Sequence, residues 1–303
     1  MPAFNPMKTT LPKNSLIIKE RLDAIVQEIL AVARDQVAMI ILFGSYAKGT
    51  WVQDWYTEGH ILYSYQSDFD IMVIVKGKYG SGSARFRIED NIKRRLKKKG
   101  LRGLGLKEPL VTIVLESINV VNEHLEQGQY FFTDIKKEGV LLYDSGEFKL
   151  SEAKELLPEE RKKIAQKDYN HWFGKGTSFF IDTFHALERK DFTKGAFELH
   201  QATESFYCTI LLVFTGYKPK LHDILQLSQM AKSYNHELFK IFPCETDEQK
   251  KCFELLAKAY IDARYNYEYK ITKEQLLYLI ERVEKLQKVT EKICLEYINR
   301  DID

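Results

Sequence analysis

The sequence predicts an α+β N-terminal domain, with a mixed β-sheet flanked by helices, followed by an all-α antiparallel helical bundle. Two observations carry this. Apolar runs at Val37 to Phe43, Phe69 to Val75 and Leu110 to Leu115 read as buried strands with helical patterns among them. From Ser151 onward the strand pattern vanishes and only helical periods remain. The 303 residues suit two compact domains, expected at 1–148 and 149–303.

Along the first domain, Leu16, Ile17, Leu22, Ile25, Val26, Ile29 and Leu30 set a helical period, opened by Asn14 and Ser15 as candidate caps. The first strand then breaks at Gly44-Ser45. An aromatic-rich stretch over 51–65 turns at Glu58-Gly59 and reads as an inserted hairpin, either a lid or a packing element; His60 reads as a turn residue. A second strand, a glycine- and serine-rich loop and a helix from Ala84 to Lys99, closed by Gly100, follow. A third strand, short helical segments and a terminal strand at Gly139 to Tyr143 complete the unit.

In the second half, helical patterns run over Glu152 to Arg189, Phe192 to Val213, Asp223 to Ser233, Asp247 to Ala263 and Lys273 to Ile298. Phe206, Tyr207, Leu211, Leu212, Val213 and Phe214 place apolar side chains on more than one helix face. That pattern fits either an internal helix or a surface for self-association.

Composition narrows the class. A net charge of +2 gives no global field that demands a nucleic-acid partner, and none is expected. The basic stretch from Arg85 to Lys107 reads better as a solvated helix face than as a polyanion platform. Cys208, Cys244, Cys252 and Cys294 are scattered like reduced thiols of a cytoplasmic protein. Neither a signal peptide nor a membrane-spanning window is apparent.

The chemistry concentrates at Gly44-Ser45 and at Ser67-Asp68-Phe69-Asp70. A glycine lets the backbone approach a triphosphate, and exposed amides and a serine hydroxyl donate to its oxygens. Asp68 and Asp70 are two apart at the mouth of a strand and share a face. Converging carboxylates repel unless a cation lies between them, and Mg²⁺, a hard ion held by carboxylates and phosphates, fits.

GS followed by D-x-D on the next strand resembles the nucleotidyltransferases of the DNA polymerase beta superfamily, in particular the minimal, kanamycin nucleotidyltransferase-like branch. The resemblance implies that Gly44 and Ser45 hold the β- and γ-phosphates, with Lys48 as an assisting cation, and that Asp68 and Asp70 are catalytic and bind metal. The connection between Ser45 and Asp68 is longer than that family's. The family also places a third carboxylate on the following strand, where this chain has Thr112. Glu116 has the same parity but lies four residues on, roughly 13 Å at the usual strand rise, too far to replace it.

His200 to Glu204, His222-Asp223 and Ala259 to Tyr265 resemble, in that order, the HEPN helical domain, often paired with minimal nucleotidyltransferases. HEPN ribonucleases carry R-x(4–6)-H, but no histidine follows Arg264 within reach, so ribonuclease action through that motif is not expected. Arg264 and Tyr265 are candidates for an anion or substrate contact, and a pairing of Arg264 with an acid across the bundle is equally open. His200 and Glu204 are one turn apart and read as a structural polar pair. Tyr265, Tyr267 and Tyr269 are open as core, dimer contact or ligand wall.

Together these imply a Mg²⁺-dependent enzyme that moves a nucleoside monophosphate from a triphosphate, ATP most simply, to a hydroxyl-bearing small molecule or protein. Thr112 motivates an alternative, a nucleotide-binding sensor with little turnover. A toxin–antitoxin-like protein that adenylylates itself at Tyr267 or Tyr269, or a partner, is a third. The HEPN resemblance also implies a homodimer formed through the helical half.

Overall fold

The computed structural model describes residues 7–51, 67–80, 82–101, 110–219 and 221–300, and the backbone of 53–58 and 61–66. His60, Arg102 and Lys107 lie outside the described residues. The chain divides into two compact units between Leu156 and Leu157, rather than at the expected 148/149. The physical reason is that the intervening residues are tied down: the Ser151 amide donates to Asn122 Oδ1 at 2.8 Å and the Lys154 amide to the Leu125 carbonyl at 2.9 Å.

In the first unit the elements run α1 (Lys19–Ala33), β1 (Val37–Phe43), α2 (Gly44–Lys48), β2 (Gln53–Glu58), β3 (Ile61–Gln66) and β4 (Phe69–Val75). After them come α3 (Gly82–Lys98), β5 (Val111–Ser117), α4 (Ile118–Glu126), α5 (Tyr130–Glu138) and β6 (Val140–Asp144). The main sheet has the order β5-β4-β1-β6, with β4 and β5 parallel and the other pairs antiparallel. β2 and β3 form the expected hairpin, Glu58 opposite Ile61.

Because side chains alternate along a strand, the sheet buries both faces. Ile40, Leu42, Ile71, Val73, Ile113 and Leu115 join one core with α1 and α3. Met39, Ile41, Met72, Ile74 and Val114 are buried on the other face, where α4 and α5 lie and Phe131 meets Phe43 edge-on at 5.5 Å.

One local expectation fails. Ser15 does not cap the first helix, which begins only at Lys19 after a 3₁₀ turn over Lys13–Ile18. Its hydroxyl points elsewhere.

The second unit comprises α6 (Pro158–Glu188), α7 (Phe192–Thr215), α8 (Ile224–Lys232), α9 (Asp247–Tyr265) and α10 (Lys273–Asn299). α6 starts at Pro158 rather than Glu152: proline suits the first helical position, and Glu160 accepts from the Leu157 amide. Asp191 and Asp223 cap α7 and α8, and Thr246 with Gln249 and Thr272 with Gln275 box α9 and α10. α7 is the axis of the bundle, packed by the other four helices. Most of its apolar run therefore faces inward: Phe206, Tyr207 and Val213 are fully buried, Leu211 and Leu212 nearly so, and Phe214 is partly buried. At Gly176 α6 comes so close to α7 that an added methyl would lie 2.7 Å from the Phe206 ring.

Candidate active site

Strand register decides what meets at the site. Asp70 on β4 lies opposite Phe43 on β1 and opposite Thr112 on β5. Immediately after Phe43 the chain turns into α2, with Gly44 at φ +72°. A left-handed φ here needs glycine, and so does the space: a methyl on Gly44 would sit 2.3 Å from Asp70 Oδ2. Residues 44 and 70 are thus brought into contact. Asp68, just before β4, and Asp70 are each partly exposed at this edge of the sheet.

The turn is held from behind by aromatic packing. Tyr46 is fully buried, stacked on Trp51 at 5.2 Å and meeting Phe69 edge-on at 4.6 Å. Phe69 is the residue between the two aspartates, so one ring joins the GS turn to the D-x-D strand. The Arg21 guanidinium covers Phe69 at 5.3 Å. α2 closes at Gly49, and the Thr50 amide donates to the Ser45 carbonyl at 3.0 Å.

Lys48 is the last residue of α2, and Glu138, at the end of α5, pairs with it at 2.6 Å. Both side chains are about half exposed. β6 begins opposite the end of β1, Val140 beside Leu42, which brings Glu138 to the same edge of the sheet.

Electrostatics at the pair disfavour the charged form of Asp70. Burial first, and the neighbouring charge of Asp68 second, push the Asp70 carboxyl well above its ordinary range. Asp68 and Asp70 are the two hard oxygen donors here that could hold Mg²⁺, an ion that binds through one or two carboxylates and completes its shell with water and phosphate. Among the described residues no group of three or more Asp, Glu, His or Cys side chains could hold a metal. Thr112 is the residue in register with Asp70 on β5. Glu116 does not substitute: it is opposite Ile74, buried, with Arg85 3.6 Å away.

The basic helix α3 behaves as a solvated, internally paired face. Lys93 pairs with Glu89, Arg94 with Asp90, and Arg95 and Lys99 with Glu28 of α1.

In the helical unit His200 is fully buried, its Nδ1 2.9 Å from the Leu256 carbonyl and its Nε2 3.2 Å from that of His222. Glu204, also buried, receives His222 Nδ1 at 3.0 Å on both oxygens, and the His222 ring stacks on Tyr260 at 4.6 Å. The sequence suggested the His200–Glu204 pair; the stronger partner of Glu204 is His222. Arg264 lies over the rings of Tyr260, Phe197 and Tyr265 and donates through Nε to the Tyr260 carbonyl at 2.7 Å. Among the described residues it has no carboxylate partner, so the cross-bundle ion pair is not formed. Tyr269 is buried, and its hydroxyl donates to the Leu255 carbonyl at 3.0 Å. Tyr267 is 91% exposed.

Residues 169–293 match the family model of the HEPN domain. The segment covers most of the helical unit and leaves the α+β unit outside the match. No curated protein resembles the chain closely enough to count as a relative. Among solved structures, a nucleotidyltransferase-like protein from Exiguobacterium sibiricum 255-15 aligns over 93% of this chain and 81% of its own, at 12% identity and a TM-score of 0.29. No helix among the described residues is long and apolar enough to cross a membrane.

Proposed function

We propose that the chain is a Mg²⁺-dependent nucleotidyltransferase whose α+β unit binds a nucleoside triphosphate, ATP in the simplest case. The observation that carries this reading is the contact of Gly44 with Asp70, which sets a phosphate-binding turn directly against a carboxylate pair. The GS turn with D-x-D on the adjacent strand is the constellation that the DNA polymerase beta superfamily resemblance calls for.

Gly44 and Ser45 hold the β- and γ-phosphates through backbone amides and the Ser45 hydroxyl, while Asp68 and Asp70 hold Mg²⁺. When bound, the metal supplies positive charge beside the phosphate oxygens. An acceptor hydroxyl oxygen forms a bond to the α-phosphorus, the bond from that phosphorus to the bridging oxygen breaks, and pyrophosphate leaves. The hydroxyl proton passes to solvent. Positioning and charge neutralisation do most of the work in such a transfer. Lys48 joins the phosphates only after Glu138 releases it.

A second reading rests on Thr112. Without an acid in that register, the site retains the groups that bind Mg-triphosphate but lacks a third carboxylate beside the acceptor, which favours a nucleotide-binding sensor with little turnover. Calorimetry with Mg-ATP, paired with a pyrophosphate-release assay over small-molecule and protein acceptors, separates the two. Binding with release supports the transferase, binding without release the sensor, and no binding contradicts both. If the chain labels itself, exposed Tyr267 is the acceptor and buried Tyr269 is not. The protein is read as cytoplasmic and as a homodimer through the helical unit, which would use exposed residues such as Ile181 and Phe184 rather than the buried face of α7.

A further inference from the structure

A five-residue helix cannot satisfy its own carbonyls. In α2 the closing amides of Gly49 and Thr50 both go to the Ser45 carbonyl, and the next carbonyl, that of Tyr46, is met from outside. Ser15 Oγ donates to it at 2.7 Å, across 31 positions of sequence. Ser15 is fully buried, so its hydroxyl has no competing solvent.

The same turn grips the exit of the helix. The Ser15 amide donates to the Pro12 carbonyl at 2.8 Å, making a tight bend over 12–15. From that bend Asn14 Nδ2 donates to the Gly49 carbonyl at 3.3 Å, and Trp51 Nε1 donates to the Asn14 carbonyl at 3.2 Å. Pro12 packs so near Gly49 that a methyl there would lie 2.9 Å from its ring. These contacts run from the bend to Tyr46, Gly49 and Trp51, the residues that follow the GS pair. They explain why Asn14 and Ser15 do not cap α1.

We infer that Ser15 is a positioning residue for the phosphate-binding turn: through the Tyr46 carbonyl it fixes the orientation of α2, and hence of the Ser45 hydroxyl and the amides beside it. It touches no phosphate. Asn14 supports the same helix from its C-terminal end. The inference rests on the reading of Gly44-Ser45 as the triphosphate site.

The test uses the full-length protein and three variants, Ser15→Ala, Ser15→Thr and Asn14→Ala. Mg-ATP affinity is measured by calorimetry and backbone amide exchange over residues 44–51 by mass spectrometry, alongside the thermal midpoint. Ser15→Ala is expected to weaken Mg-ATP binding by about fivefold to tenfold, as loss of one buried hydrogen bond does. Exchange should quicken locally over 44–51. Ser15→Thr, which keeps the hydroxyl, should recover most of the affinity, and Asn14→Ala should shift it in the same direction by less. Wild-type affinity in Ser15→Ala overturns the inference, as does an affinity loss that the hydroxyl-bearing Ser15→Thr fails to reduce. Exchange that quickens throughout the α+β unit instead of locally also overturns it, since that marks a merely structural role. If the unaltered protein itself fails to bind Mg-ATP, the phosphate-site reading falls and takes the inference with it.

Discussion

The Asp70 carboxylate rests where a side chain on Gly44 would have to lie: a single methyl added to the glycine would come within 2.3 Å of Oδ2. Gly44→Ala therefore adds a left-handed-φ penalty of roughly 1–2 kcal/mol to a direct displacement of Asp70. The variant should melt several degrees lower and lose at least tenfold in Mg-ATP affinity. Thermal melts and calorimetry measure both; an unchanged affinity would show that the close approach has no part in binding.

Asp70 also makes stability depend on pH with a definite sign. Its proton affinity is raised in the fold by burial and then by Asp68. A carboxyl raised in this way contributes stability that is fully present below the unfolded value near 3.9 and is lost as pH rises through the folded value. Once pH has risen past that folded value, the ionised carboxylate costs the fold stability when no metal is bound. Asp70→Asn should raise the apo melting temperature while removing the Mg²⁺-induced stabilisation expected of the parent. Mg²⁺ should bind more tightly as pH rises, because it displaces the proton. An apo protein destabilised by Asp70→Asn would contradict this assignment.

If Lys48 assists the phosphates as proposed, Glu138 competes with them for its ammonium group. Freeing the lysine by Glu138→Gln should tighten Mg-ATP binding by about threefold, the scale of an exposed ion pair. The gain should shrink in high salt. Calorimetry at two salt concentrations checks it, and a weaker affinity in Glu138→Gln would mean that Glu138 aids binding rather than opposing it.

Much of this was legible in the sequence, and the failures have physical causes. The apolar strands, the GS turn and D-x-D are local patterns, so periodicity and spacing reveal them, whereas the interest of Thr112 comes from the superfamily resemblance alone. Ser15 and Glu138 act across long stretches of chain, and nothing local distinguishes a capping serine from one that reaches Tyr46. The run from Phe206 to Phe214 looked equally like a core helix or a docking face, because a helix packed by four neighbours is apolar all round. His222 was noticed, but its partnership with Glu204 depends on how the loop after α7 folds back.

His200 gives the helical unit its own pH dependence. Burial, the largest influence, lowers its proton affinity, against the Leu256 carbonyl, the charge of Glu204 and the His222 carbonyl, which favour the charged ring. With its folded value below the ordinary 6.5, His200 is neutral in the fold and takes up a proton on unfolding. Its contribution is present above the unfolded value and is lost as pH falls toward the folded one. The denaturation midpoint of the helical unit should therefore drop between pH 7.5 and 5.5, and His200→Asn should flatten that slope. An equally steep slope in the variant would assign the effect to another group.

The most direct test is transfer of label from ATP labelled at the α-phosphate, in the presence of Mg²⁺, to a panel of hydroxyl-bearing small molecules and proteins, the chain itself included. The account predicts acceptor labelling with release of pyrophosphate, abolished by Mg²⁺ removal and reduced at least a hundredfold by Asp68→Asn with Asp70→Asn, the scale of losing metal-held charge stabilisation. Label transfer that persists at the parental rate in the double variant would contradict it.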